Sequence, residues 1–106
     1  MDGLDLLVSG GLPPNPTELL RSDRMLSLLM AAASKRNFVL LDGPPVLNFA
    51  DAGVLAAEVD GVLLVVGRGR ATEQGTRQAL RRLERVKANV IGVVLNQADQ
   101  VEVGYY

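Results

Sequence analysis

Gly61-Val62-Leu63-Leu64-Val65-Val66 is the stretch on which the fold of this chain turns. Its apolar side chains follow one another without alternation, the pattern of a strand covered on both faces, as in a parallel sheet. Similar runs occur at Leu4 to Val8, Phe38 to Leu41 and Val90 to Leu95, each bounded by Gly, Asp, Asn or Pro. Helical segments lie between them. The first is expected from Pro16-Thr17-Glu18 to about Ser34, with Leu19, Leu20, Met25, Leu26, Leu28, Leu29 and Met30 on an apolar face and Arg21, Asp23 and Arg24 on a wet one. The second spans roughly Asp51 to Glu58, and the third about Thr72 to Val86, with basic residues in its last turns as the helix dipole favours. Strand and helix in alternation predict an α/β fold: an open parallel sheet of about four strands joined by βαβ crossovers.

The length of 106 residues suits one domain or part of one, able to bury roughly 65% of its unfolded surface. Eleven basic and twelve acidic side chains leave a net charge of −1, which argues against a nucleic acid as partner. Cysteine and histidine are absent, which excludes disulfides, thiolate metal sites, the usual zinc sites and Ser-His dyads. Chemistry is left to carboxylates, hydroxyls, backbone amides or a bound cofactor. The apolar runs are too short to cross a bilayer and Met1-Asp2-Gly3 lacks the basic start of a secretory signal, so a cytoplasmic location is expected.

Phe38-Val39-Leu40-Leu41-Asp42-Gly43-Pro44-Pro45 ends a strand on a carboxylate, at the edge where open α/β sheets bind ligands. Asp42 suits a nucleotide-bound Mg²⁺ held through water, since Mg²⁺ keeps part of its hydration shell and needs only one or two carboxylates. A turn-capping aspartate is the plainer alternative. Asn96 ends the last run in the same way and offers both a donor and an acceptor to a purine edge, or simply forms a turn, with Asp99 three residues on.

Arg68 and Arg70 fall just past a strand end between glycines, where a phosphate-facing role is credible. Seven of the eleven basic residues lie between Arg68 and Lys87 against only Glu73 and Glu84, and Arg77, Arg81 and Arg85 share a helix face. That face meets phosphates, an acidic partner, or water alone. Tyr105 and Tyr106 close the chain as a free tail or as exposed phosphoacceptors.

Gly11-Leu12-Pro13-Pro14-Asn15-Pro16-Thr17-Glu18-Leu19-Leu20, Asp42-Gly43-Pro44-Pro45, Asp51-Ala52, Val59 to Val66 and Gly92 to Asn96 together resemble the bacterial tyrosine kinases of capsular and exopolysaccharide biosynthesis, relatives of the P-loop ATPases. The resemblance runs through nearly the whole chain in order, and the proline segment is its most specific part. It implies an ATP-dependent protein-tyrosine autokinase that regulates polysaccharide polymerisation and export, with ATP and Mg²⁺ as cofactors. Asp42 and Pro45 match the Walker B signature, Asn96 corresponds to a position near the adenine, and Tyr105 and Tyr106 resemble the start of the autophosphorylated tyrosine cluster. The implied partners are a membrane-embedded chain-length regulator and further copies in a ring-like oligomer. The implied place is the cytoplasmic face of the plasma membrane, reached through that regulator.

No Gly-x-x-x-x-Gly-Lys-Ser/Thr occurs in the sequence, so the backbone nest and lysine that hold the β- and γ-phosphates are missing. The expectation is therefore a partial P-loop NTPase-like domain at residues 1–103, the C-terminal half of such a kinase without its P-loop strand, followed by a tyrosine tail at 104–106. Alone it is expected to be inactive, to bind ATP weakly, and either to be poorly soluble or to close the gap by re-pairing its strands, since strands that expect central places are left unpaired. Two other readings stay open: a non-catalytic module docking on the regulator or a full-length kinase through the proline segment and the basic helix, and a piece of a partition or septum-positioning ATPase. The Leu12 to Leu20 segment speaks against the latter.

Overall fold

A computed structural model describes residues 2–97. The elements run α1 (Pro16–Leu20), α2 (Asp23–Lys35), α3 (Asp51–Glu58), β1 (Val62–Gly67), α4 (Glu73–Arg85) and β2 (Val90–Asn96). β1 and β2 pair in parallel, with α4 as the crossover between them. This is the α/β unit that the two strongest apolar runs predict, and α3 and α4 keep their expected limits to within a residue.

Two expectations are corrected. The first helix is broken into α1 and α2 at Arg21 and Ser22, because the Ser22 hydroxyl serves both ends of the break. It donates to the Leu19 carbonyl at 2.6 Å and accepts from the Met25 amide at 3.2 Å, closing one helix and capping the next. The sheet has two strands among the described residues, not about four. A strand exists only with a neighbour on its ladder, and neither Leu4 to Val8 nor Phe38 to Leu41 has one among the described residues. Phe38 and Leu40 are about nine-tenths exposed, whereas Val39 and Leu41 are 40% and 39% exposed.

The core lies on one face of the sheet. Leu64 of β1 packs with Ala56 of α3 and with Ala79 and Leu83 of α4, while Val62, Val66, Leu80 and Val90 close around them. The alternate residues Leu63 and Val65 point away and are more than half exposed. A ladder irregularity between Val62 and Leu63 brings Ile91 over Gly61, where an added Cβ would stand 3.0 Å from the Ile91 Cγ2. Only glycine fits there without movement of Ile91. α4 closes with Lys87 in the left-handed region (φ 58°), its amide on the Glu84 carbonyl and the Ala88 amide on Leu83, the two bonds of a Schellman stop.

The chain exposes 9149 Å², against about 5,700 Å² for a compact monomer of this mass. Large apolar side chains are among the residues left open: Leu6, Leu7, Leu12, Phe38, Leu40 and Ile91 are all more than 60% exposed. No described helix is long and apolar enough to cross a membrane.

Candidate functional site

The C-terminal end of the β1–β2 ladder brings Gly67 level with Asn96. From there the Arg68 amide donates to the Asn96 carbonyl at 2.9 Å, so these two sequence-predicted residues are neighbours at the strand ends. The chain then turns tightly. Gly67 accepts from the amides of Arg70 and Ala71 at 3.2 and 3.0 Å, and Gly69 holds φ +77°, which an L side chain rarely adopts. Thr72 starts α4 by accepting the Gly75 amide on its hydroxyl at 3.0 Å.

Asn96 is exposed at this edge with its side-chain amide turned to no described partner, and Arg68 is exposed beside it. Gln97, which no sequence motif marks, joins them. It lies in the left-handed region (φ 61°), and its Oε1 stands 3.6 Å from where a Cβ on Gly67 would be. A polar residue directly after a strand-ending Asn was the available clue.

Asp42 stands exposed, with no hydrogen bond or ion pair to any described residue. Its carboxylate oxygens are uncommitted, which fits a group that meets a hydrated cation through water. Among the described residues no three acidic side chains gather as a metal cage, so Asp42 offers a single carboxylate. No hydrogen bond links it to Asn96 or Arg68. Downstream, the turn is held firmly. The Pro45 carbonyl accepts from the Asn48 amide at 3.3 Å, and Arg82 Nη1 of α4 donates to the carbonyls of Val46 and Leu47 at 3.2 and 2.7 Å. Pro45 therefore serves as a turn residue, and Arg82 ties the Asp42 loop to the helix that carries the core. Because that tie spans 35 residues, no sequence spacing announces it.

Asp51 is engaged elsewhere: the Thr17 hydroxyl donates to its Oδ1 at 2.5 Å, anchoring the proline segment to the start of α3. Among the basic residues of α4, Arg77 is paired with Glu73 at 2.8 Å. Asp99, Tyr105 and Tyr106 lie outside the described residues.

No protein-family model matches the chain. In sequence it is similar to the tyrosine-protein kinase YwqD of Bacillus subtilis, 37% identical over 106 residues, covering 97% of this chain and 45% of that protein. It is also similar to the tyrosine-protein kinase etk of Escherichia coli, 39% identical over 94 residues, covering 89% of this chain and 13% of that protein. The chain thus spans less than half the length of either relative. In fold it is similar to the kinase domain of Escherichia coli ETK, with a TM-score of 0.76 at 37% identity, covering 86% of this chain and 37% of that one. The VpsO kinase domain gives a TM-score of 0.78 at 30% identity, covering 85% of this chain and 44% of that one.

Proposed function

From its relation in sequence and in fold to the bacterial tyrosine-protein kinases, we propose that this chain forms the carboxylate edge of an ATP-dependent protein-tyrosine kinase acting in exopolysaccharide or capsule production. The observation that carries the reading is the strand-end geometry: a parallel ladder ending at Gly67 and Asn96 with Arg68 bonded across it. Nucleotides bind open α/β sheets at that edge. Asn96 and Gln97 would meet the base, Arg68 the phosphates, and the uncommitted Asp42 carboxylate would hold Mg²⁺ through water as a Walker B aspartate, with Pro45 shaping its turn. Mg²⁺ bound there supplies charge neutralisation on the phosphate oxygens.

The chain as written contains no Gly-Lys phosphate loop, so the proposed active unit combines this segment with a P-loop segment. Tyr105 and Tyr106 are the proposed phosphoacceptors. A membrane-embedded chain-length regulator and sister copies in a ring are the proposed partners, and they would place the chain at the inner face of the plasma membrane.

The test joins this chain to the remaining part of the Bacillus subtilis relative and follows labelled phosphate. The joined protein is expected to label Tyr105 or Tyr106, and Asp42→Ala to lower labelling about 100-fold or more. Labelling that survives Asp42→Ala would sink the metal role. The 106-residue chain alone is expected to incorporate none.

A further inference from the structure

The outward line of α4 carries two cations, Arg81 and Arg85, without a side-chain partner among the described residues. Gln74, Gln78, Arg81 and Arg85 follow at spacings of four, three and four, so they stack along one side of the helix. Ala79 and Leu83, buried on the opposite side, fix this line as the face turned away from the core. With Arg82 beside it, the line borders an open groove of about 360 Å³ formed by these five side chains.

The neighbouring cations are committed, Arg77 to Glu73 and Arg82 to the carbonyls of Val46 and Leu47. Among the described residues the guanidinium groups of Arg81 and Arg85 have no such tie. Like charges four apart on a helix repel, so local stability does not favour this pair. An external anion would relieve it.

We propose that this stripe docks an acidic protein segment presenting two carboxylates one helical turn apart. Arg81 and Arg85 are separated by about 6 Å along the axis, the same step as Glu or Asp at i and i+4 on a partner helix. A planar guanidinium takes a carboxylate through two parallel hydrogen bonds, and the amides of Gln74 and Gln78 extend the polar line to about 16 Å.

A lipid surface fits less well. The line carries no apolar side chain to enter the acyl layer, and two cations alone attract an anionic bilayer weakly. The stripe is also separate from the nucleotide edge. α4 begins just past the C-terminal end of β1, and Arg81 and Arg85 lie about 12 and 18 Å along the axis from that start. The docking surface therefore stands whether or not the kinase reading does.

The test titrates the full chain against a labelled synthetic helical peptide with Glu at i and i+4 on one face, read by fluorescence anisotropy. The Glu peptide is expected to bind, and its Gln counterpart to bind about tenfold more weakly or worse. R81Q/R85Q is expected to lower affinity about tenfold, while R77Q leaves it within about twofold. Circular dichroism of each variant is expected to match the parent, since none of the three side chains is buried. Failure of the Glu peptide to bind, or unchanged affinity in R81Q/R85Q, would overturn the proposal. So would binding to phosphatidylserine vesicles that depends on Arg81 and Arg85 and exceeds binding to the peptide.

Discussion

The hydroxyl of Thr17 donates to the carboxylate of Asp51 across 2.5 Å, joining the proline segment to a helix 34 positions further along the chain. α1 is only five residues long and buries no residue, so it has little else to fix it. Thr17→Val keeps the shape and removes the donor. The expected cost is about 1–2 kcal/mol of stability, for a partly buried hydrogen bond to a charged group. Urea unfolding would measure it, and Thr17→Ser is expected to restore most of it. A Val variant as stable as the parent beside a destabilised Ser variant would show that the methyl group, and not the bond, matters.

Arg82 acts in a comparable way on the Asp42 loop. Arg82→Ala is expected to cost about 1 kcal/mol, because two carbonyls exchange a charged donor for water. The sharper readout is local. Amide exchange at Asn48, whose N–H is bonded to the Pro45 carbonyl, should quicken while the amides inside β1 and β2 stay protected. Uniform quickening across the sheet would instead assign Arg82 to global stability.

Leu83 is 1% exposed, the most buried large side chain among the described residues. Leu83→Ala is expected to cost about 2–4 kcal/mol through lost transfer energy and the cavity left behind. With so few buried partners to replace it, a chain of marginal stability should show a clear loss of helix signal by circular dichroism. A loss below about 1 kcal/mol would mean that the site collapses around the alanine.

Val65 is 60% exposed on the sheet face away from the core. Val65→Lys is expected to slow aggregation of the isolated chain, since a charge on an open sheet blocks pairing with another copy. Light scattering at matched concentration measures this. Faster aggregation in the variant would show that Val65 is buried by contacts that the lysine disrupts.

The elements legible from sequence were those whose signals are local. The unbroken Val and Leu runs marked β1 and β2, and Thr72 followed by Glu73 marked the start of α4. What escaped were features set by partners at a distance. Phe38 to Leu41 reads as a strand by composition, but no described neighbour completes its ladder, and pairing cannot be inferred from one strand alone. The break at Ser22 escaped for a different reason. A serine inside an apolar helical pattern is compatible with continuing the helix, and only its two hydrogen bonds show the chain stopping and restarting.

The candidate site divides in the same way. Asp42, Asn96 and Arg68 were visible because each follows an apolar run, and strand ends are where an open sheet meets ligands. The sequence by itself determined the α/β class, the exclusion of histidine and cysteine chemistry, and the crowding of cations between Arg68 and Lys87. Only the tertiary structure decided which of those cations are committed. Arg77, Arg81 and Arg85 look equivalent by spacing, yet Arg77 has a carboxylate one turn away and Arg82 reaches carbonyls on a distant turn. Charge belongs to the residue, but its neutralisation depends on distances of a few ångströms. For Arg77 that distance is set within α4 by the four-residue step from Glu73, and for Arg82 by how α4 packs on the loop after Pro45.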